Sequence, residues 1–535
     1  MKQIILLLLL TINLLNAQIT FNNRYSLGFE ASGFSSVVVV DSGYFITGLG
    51  ANGNQYQGNT QANFVFIDSF GQVVWYHSII GSGGINTGAF LGTLQQKDSS
   101  FYTVGVEFGG GCDNSCFYKY NPQGDTVWVR KFSSILDTCT FMRGDGLCFT
   151  DDGGFLVGTS AQPEDTWDSK IIVSKFDSLG VFEWHQVYSS PSYYYREEWP
   201  VLKNINGQIV MAARYWKWIW ATTSNYEMQH QFWWLDSLGG IERTYTTPLL
   251  KPGTTIPWKL YPPFDFVQTK DKGWIVATGF GVEESGTFPN LVNYQPYVYK
   301  LDSSLNLVWE REIKGYYWQP DVFASKLIEI EDSSIIVVGQ LFDYINPPDT
   351  TLPTCYQGFI SRVSPNGDSI WKRSYYGLCT FLDNHSIKDF KRTADGGYIL
   401  CGESSGNMTG QPNQQGWLLK LDSMGCLVPG CHLTAVENIA GQEEIAIKVY
   451  PNPVQAGEYL NFYIPTVQTR LIASPHNGLQ AHLYNISGKL IQNHSLPSDD
   501  ATYMLSTDGM APGTYILQIL DERGRVLGAE KIVIR

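Results

Sequence analysis

At 535 residues the chain exceeds a single ordinary hydrophobic core, so several domains or a repeat architecture is expected. Charged residues make up 16% and aromatics 14%, with 53 glycines and 24 prolines, a mix that suits many short strands and tight turns rather than helices. A formal net charge of −14 with no basic run to offset it excludes a nucleic-acid backbone as partner, because phosphate binding needs clustered Lys and Arg.

The opening MKQIILLLLLTINLLNAQ has Lys2, an apolar run from Ile4 to Leu15 and a small residue, Ala17, at the expected cleavage point. Residues 1–17 therefore read as a secretory signal peptide, and the run is short for a bilayer span. No later stretch is apolar enough to serve as a transmembrane span.

From there a phrase recurs: DSFGQVVW from Asp68, NPQGDTVW from Asn121, DSLGVFEW from Asp177, DSSLNLVW from Asp302 and SPNGDSIW from Ser364. Each follows a strand-like run such as NFVFID or IIVSKFD, so each predicts a β-hairpin whose second strand carries Trp. Upstream of each lies another turn leading into an apolar strand: DSGYFITG from Asp41, DGGFLVG from Asp152, DKGWIVATG from Asp271, DSSIIVVG from Asp332 and DGGYILCG from Asp395, with weaker copies at 99 and 206. With one more strand ahead of it, each unit holds four strands, A to D, at a period of about 60 residues, the signature of a β-propeller. Seven sets of A, B and C are present, but the seventh stops at CLVPGC, without a D strand. The segment ITFNNRYSLG, just ahead of the first A strand, is expected to fill that place and close the ring, removing two open edges. A seven-bladed β-propeller over residues 18–432 follows. The recurring Trp reads as packing between neighbouring sheets; in blade four Arg243 stands in its place. The spacing does not match the Asp-box of sialidase-like propellers.

Nine cysteines in an exported chain suggest disulfides. Cys116 with Cys139 and Cys355 with Cys379 recur in register, at the start of C and the end of D, and Cys426 with Cys431 is expected to tie off the end of the propeller. Cys112 with Cys148 is a further conceivable pair, and Cys401, in an apolar strand, reads as a buried thiol. CDNSC has no second ligand pair at matching distance, so no metal site is expected, and no cofactor motif is present.

A–B and C–D connections are short and share one face, which leaves the length variation to the B–C and D–A loops of the other face, the usual home of function on such a scaffold. Several of these loops are crowded with aromatics: Tyr194, Trp199, Trp216, Trp218, Trp220, Trp258, Tyr317 and Trp318 are the candidate binding residues. Exposed Tyr and Trp suit stacking on sugar rings or gripping a protein; the competing reading is a small core formed by the loops themselves. Trp216, Trp218 and Trp220 alternate and share one face of an extended segment. Catalytic signals are poor. GESSG (402–406) fits the G-x-S-x-G pattern but no helix follows it. RGD (143–145) matches the tripeptide bound by adhesion receptors, and the loop carboxylates Glu164, Asp165, Glu197, Glu198, Glu283 and Glu284 contain any acid/base pair only if two of them meet.

After a polar linker, 433–445, residues 446–535 alternate apolar positions between Asn-Pro and Ser-Gly turns, which predicts an immunoglobulin-like β-sandwich of about seven short strands. VYPNP (449–453), YNISGKLI (484–491), MAPGTYILQI (510–519) and the terminal KIVIR resemble the type A sorting domain of the type IX secretion system of Bacteroidetes. The resemblance implies export across the outer membrane, contact with the type IX secretion machinery, and release or attachment at the cell surface. It makes Pro451, Asn452, Pro453, Gly488, Gly513 and Tyr515 the sorting-signal residues. The expectation is therefore an all-β, exported propeller that binds glycan or protein through its variable face, with no transmembrane span. The alternative is a secreted glycan-active hydrolase on the same scaffold, and the motifs lean away from an enzyme.

Overall fold

The computed structural model describes residues 19–52, 60–79, 85–86, 93–107, 114–132, 139–163, 170–188, 195–219, 225–253, 259–261, 265–283, 292–315, 322–344, 354–377, 383–405, 414–428, 431, 447–463, 479–485, 490–496, 502–520 and 526–535. The expected leader and linker lie outside these residues. Contacts divide the chain into two units, one spanning Gln18–Gly425 and the other containing Cys426–Arg535.

The first unit is a β-propeller of seven blades. Blade one is Ala31–Val40, Gly43–Ala51, Thr60–Asp68 and Val73–Ile79, in sequential antiparallel order. Blades three, four and six repeat that order, opening with Cys139–Phe149, Tyr195–Ile205 and Phe323–Glu329. Blades two and five have a divided inner strand: Ile85–Asn86 with Leu94–Lys97, and Lys259–Leu260 with Asp265–Gln268. Blade seven holds only His385–Arg392, Tyr398–Ser405 and Gln414–Leu421 from its own stretch of chain; Phe21–Tyr25 supplies the fourth strand, with Phe21 opposite Lys420 and Tyr25 opposite Gly416. The Trp417 indole, 1% exposed, donates to Asn22 Oδ1 at 2.7 Å beneath this strand.

The recurring turns explain themselves chemically. In the C–D turns the leading Asp, Asn or Ser accepts backbone N–H groups two and four residues on, for example Asp177 Oδ1 from Leu179 and Val181 at 2.8 Å, which is why short polar acceptors head the motif. The A–B turns add a cation: Asp152 accepts from Gly154 N at 2.9 Å and pairs with Lys175 at 2.8 Å, and Asp395 does the same with Gly397 and Lys420. In the equivalent turn of blade five, the Lys300 ammonium and then the Thr269 hydroxyl hold the Asp271 carboxyl down at about 2.

Each recurring Trp covers the turn glycine of the next blade: Trp75 over Gly124, Trp128 over Gly180, Trp184 over Gly239, Trp309 over Gly367 and Trp371 over Gly425. The glycine allows both the left-handed turn and the close approach of the ring. Blade four, with Arg243, is answered by Leu305 in the next turn. Arg243 sits 4.8 Å from the ring of its own blade's Trp234, and Leu305 is buried in the apolar cluster that contains Trp234. A methyl group at Gly124 (φ +84°) would overlap the Trp75 ring, whereas one at Gly396 (φ +81°) meets nothing within 4 Å. Both Ala substitutions incur a left-handed penalty of about 1–2 kcal/mol, but Gly124→Ala is expected to lose a further ~1–3 kcal/mol through overpacking. Urea melts of the two variants measure the difference, and equal losses would refute the ring-on-glycine account.

Between blades four and five His230 is fully buried. Its Nε2 faces the Tyr261 carbonyl, which can only accept, so Nε2 carries the proton and Nδ1 accepts from Tyr299 Oη at 2.8 Å. Burial first, and Arg214 in addition, depress its pKa to about 3. The unfolded chain protonates this histidine near pH 6.5 and the folded one only near pH 3. Between those values the unfolded state binds more protons, and stability falls as the pH drops, by at most about 1.4 kcal/mol per pH unit from this group. His230→Gln, which keeps one donor and one acceptor, is expected to flatten that part of the curve in thermal melts from pH 7 to 4. Parallel curves would contradict it.

The C-terminal unit packs a three-stranded sheet (Lys448–Tyr450, Tyr459–Tyr463, Thr502–Ser506) with a four-stranded one (Leu490–Leu496, Leu479–Asn485, Gly513–Leu520, Val526–Ile534). Leu460, Phe462, Leu483, Leu517 and Ile532 lie at the centre of its core.

Candidate functional site

The innermost strands of all seven blades line a central cavity of about 490 Å³. In five of these strands the register of the ladder shifts (Phe34/Ser36, Gly144/Gly146, Glu198/Val201, Ala324/Lys326 and Ile387/Asp389), re-aiming the residue that follows. Ser36, Gly146, Lys326 and Asp389 thereby reach the channel wall, together with Asp265 from blade five.

Polar bonds join every neighbouring pair of inner strands. Ser36 Oγ accepts from Leu94 N (3.1 Å), Gln95 Nε2 donates to the Leu147 carbonyl (2.7 Å) and Asn204 Nδ2 to that of Phe149 (3.0 Å). Lys203 pairs with Asp265 (2.6 Å), whose other oxygen accepts from Leu327 N (3.2 Å). Ser325 Oγ donates to the Ile387 carbonyl (2.8 Å), and Asp389 Oδ2 accepts from Ser36 Oγ (2.6 Å) and Val37 N (3.1 Å). Burial alone would raise both aspartates. For Asp265 the cations Lys203 and Lys326 outweigh it, for Asp389 the cations Lys391 and Lys326, and both carboxyls end below the ordinary value. Neither holds a proton at neutral pH, as the acid of a glycosidase pair must.

Blade four has the longest hairpin, Gln208–Ile219 with Asn225–Leu235. Trp216 stands opposite Met228 and Trp218 opposite Tyr226, register positions that share one face of the ribbon. Trp199 lies in Tyr195–Ile205, at the irregularity between Glu198 and Val201. Tyr194, Trp220, Trp258, Tyr317 and Trp318 lie outside the described residues. Three of the carboxylates expected in loops are ladder residues instead: Glu197 pairs with Tyr215, Glu198 with Arg214 and Glu283 with Val292. Glu164, Asp165 and Glu284 lie outside the described residues.

GESSG brings its central Ser404 within 2.8 Å of His385 Nδ1. His385 Nε2 accepts from Gly377 N, so the ring proton sits on Nδ1 and is donated to Ser404 Oγ, which also accepts from Arg24 Nε at 2.9 Å. A histidine that donates to the serine cannot deprotonate it, and the pair is structural. RGD lies within an inner strand, with Arg143 opposite Ser160, and not at a loop tip.

The disulfides need one correction. Cys116 is a buried thiol, and the expected bridge to Cys139 is not made. Cys116 packs in the cluster between blades one and two, whereas Cys139 opens the inner strand of blade three, on the other side of its sheet. Cys148 is a free buried thiol, which removes its pairing with Cys112, a residue outside the described ones; burial pushes the Cys148 pKa up to about 12, and Cys401 is a free buried thiol as read. Cys355 is disulfide-bonded, and Cys379 lies outside the described residues. Cys426–Cys431 is present, with an S–S distance of 2.02 Å. Among the described residues no group of His, Cys, Asp and Glu is arranged to hold a metal.

In the C-terminal unit the motif segments meet. Asn452 Nδ2 donates to the Lys531 carbonyl (2.6 Å) and its Oδ1 accepts from Val533 N (2.9 Å), so it pins the last strand. Its neighbours Pro451 and Pro453 are exposed. Tyr515, following Gly513 in the same strand, donates from Oη to the Ala511 carbonyl (2.8 Å). Gly488 lies outside the described residues.

No curated protein sequence matches the chain. Among solved structures, it is similar to an alpha-L-arabinanase of Penicillium chrysogenum (TM-score 0.38, 11% identity, 63% of this chain and 93% of that one). It is also similar to the GH93 alpha-L-arabinofuranosidase of Fusarium graminearum (0.36, 10%, 62% and 92%) and a GH43 endo-arabinanase from Bacillus licheniformis (0.28, 12%, 55% and 100%). Among the described residues no helix is long and apolar enough to cross a membrane. Residues 448–535 match the family model of the secretion system C-terminal sorting domain, which marks the chain for export by type IX secretion, to the cell surface or beyond it.

Proposed function

We propose that the chain is an exported binding protein whose propeller engages a glycan or a protein ligand through the face that carries its B–C and D–A loops, while the C-terminal domain addresses it to the type IX machinery. The observation that carries this reading is the blade-four ribbon, where Trp216 and Trp218 alternate opposite Met228 and Tyr226. Alternating aromatic positions on one face of a ribbon form a flat, amphipathic platform, suited to the apolar face of a sugar ring or to an aromatic anchor of a protein. The lowered pKa of both channel carboxylates favours binding over hydrolysis, since neither supplies a general acid.

A glycan array probed with the full chain tests it. The double variant Trp216→Ala/Trp218→Ala is expected to weaken binding at least tenfold with little change in melting temperature. Blank arrays and blank pull-downs would defeat the proposal, and so would release of reducing sugar from a polysaccharide.

A further inference from the structure

The channel holds one more cation than its carboxylates engage. Lys203 reaches Asp265 at 2.6 Å and Lys391 reaches Asp389 at 2.8 Å. Lys326, on blade six between the blades of Asp265 and Asp389, acts electrostatically on both carboxylates, yet among the described residues no ion pair or hydrogen bond occupies its ammonium group. Three positive against two negative side chains leave the channel with a surplus positive charge inside a chain of net charge −14. A stray lysine at an open surface would be unremarkable, because water screens it. This one faces a half-open cavity of about 490 Å³, within the usual range of small-ligand sites and large enough for a single sugar acid. Lys326 is half-buried there, so its charge is screened less than at an open surface and acts more strongly on whatever enters.

The fold explains why the cation is held there. The Ala324/Lys326 bulge sets Lys326 on the channel wall, and the adjoining Leu327 N–H is fixed by Asp265. Asp389 is held by Lys391, by Ser36 and by the N–H groups of Val37 and Phe390, and Asp265 by Lys203 and the Leu327 N–H; neither forms an ion pair with Lys326. An ammonium is a point charge with three donors and accepts an oxyanion of any shape.

We propose that the central channel is a binding site for a small oxyanion, a carboxylate or a phosphate group, seated on Lys326 with Lys203 and Lys391 flanking it. None of these residues belongs to the aromatic ribbon, so the site stands or falls independently of the surface reading above.

The test uses the full chain at constant ionic strength and four probes: sodium galacturonate, sodium phosphate, neutral galactose and sodium chloride. Galacturonate or phosphate is expected to raise the melting temperature saturably and to give a calorimetric isotherm, while galactose and chloride do neither. A response to galacturonate alone identifies a sugar acid as the ligand class, and a response to phosphate alone a phosphoryl group. Lys326→Gln is expected to weaken the binding at least tenfold, Lys326→Arg to keep it within a few fold, and Lys272→Gln, in an exposed turn, to leave it unchanged. Absence of a saturable response to either anion, or wild-type affinity in Lys326→Gln, overturns the proposal. Should Lys326→Gln fail to fold, hydrogen exchange on the wild-type chain decides. The anion must slow exchange in Phe323–Glu329 and His385–Arg392 and leave the C-terminal domain untouched; uniform or absent protection overturns the proposal.

Discussion

A chain lacking residues 19–25 is expected to lose its cooperative fold, or to melt more than ten degrees lower, by calorimetry. Phe21–Tyr25 is the outermost strand of blade seven, and its removal strips five residues of Gln414–Leu421 of their ladder partners. It also uncovers Trp417, 1% exposed beneath it, whose ring alone accounts for about 4–6 kcal/mol of burial at 150–250 Å². Five side-chain bonds disappear as well: Trp417 to Asn22, Asn23 to the Gly71 carbonyl at 3.1 Å, Tyr25 to the same carbonyl at 2.8 Å, Arg24 to Ser404 at 2.9 Å and Ser32 to the Tyr25 carbonyl at 2.7 Å. Gly71 lies in the C–D turn of blade one, so the strand fastens the last blade to the first, and the loss opens the ring rather than trimming an end. A melting temperature within two degrees of the full chain would show that the ring closes without it.

The second large effect is expected at Asp389. Asp389→Ala should cost about 3–5 kcal/mol in urea denaturation, because two buried donors, the Ser36 hydroxyl and the Val37 N–H, lose their acceptor at about 1–3 kcal/mol each. Its carboxylate, 3% exposed, holds Ser36 and Val37 of blade one as well as Lys391 of its own strand. Asp389→Asn keeps an acceptor toward Ser36 and Val37 but leaves Lys391 without its counter-charge, and a smaller loss, about 1–3 kcal/mol, is expected. Equal midpoints for wild type and Asp389→Ala would mean that the polar girdle contributes nothing to holding the ring together.

The hairpins were legible because their signals are local. A short polar acceptor, a glycine three residues later and an aromatic on the following strand all act within eight residues, and Asp68, Asn121, Asp177 and Ser364 each head their turn as the pattern implies. Cys116 was misread for the complementary reason. A hairpin places the ends of two strands side by side, but only the alternation of its own strand decides that Cys116 faces blade one while Cys139 belongs to blade three. The channel was missed altogether, although a faint signal exists: FDFVQ, SKLIE and KDFK each bring charge to an inner strand, Asp265 at its first residue and Lys326 and Asp389 within it.

What the amino-acid sequence determines by itself is the unit: four strands, their turns, the repeat, and the C-terminal domain with its address, because propensity, turn chemistry and motif act over a few residues at a time. The tertiary structure alone decides how units meet. Trp128 covers a glycine 52 positions away, Arg243 is answered by Leu305, and Asp265, Lys326 and Asp389 converge on one cavity from blades five, six and seven. Those contacts depend on the rotation between neighbouring sheets and on bulges that re-aim single side chains, and neither leaves a mark that can be read along one strand.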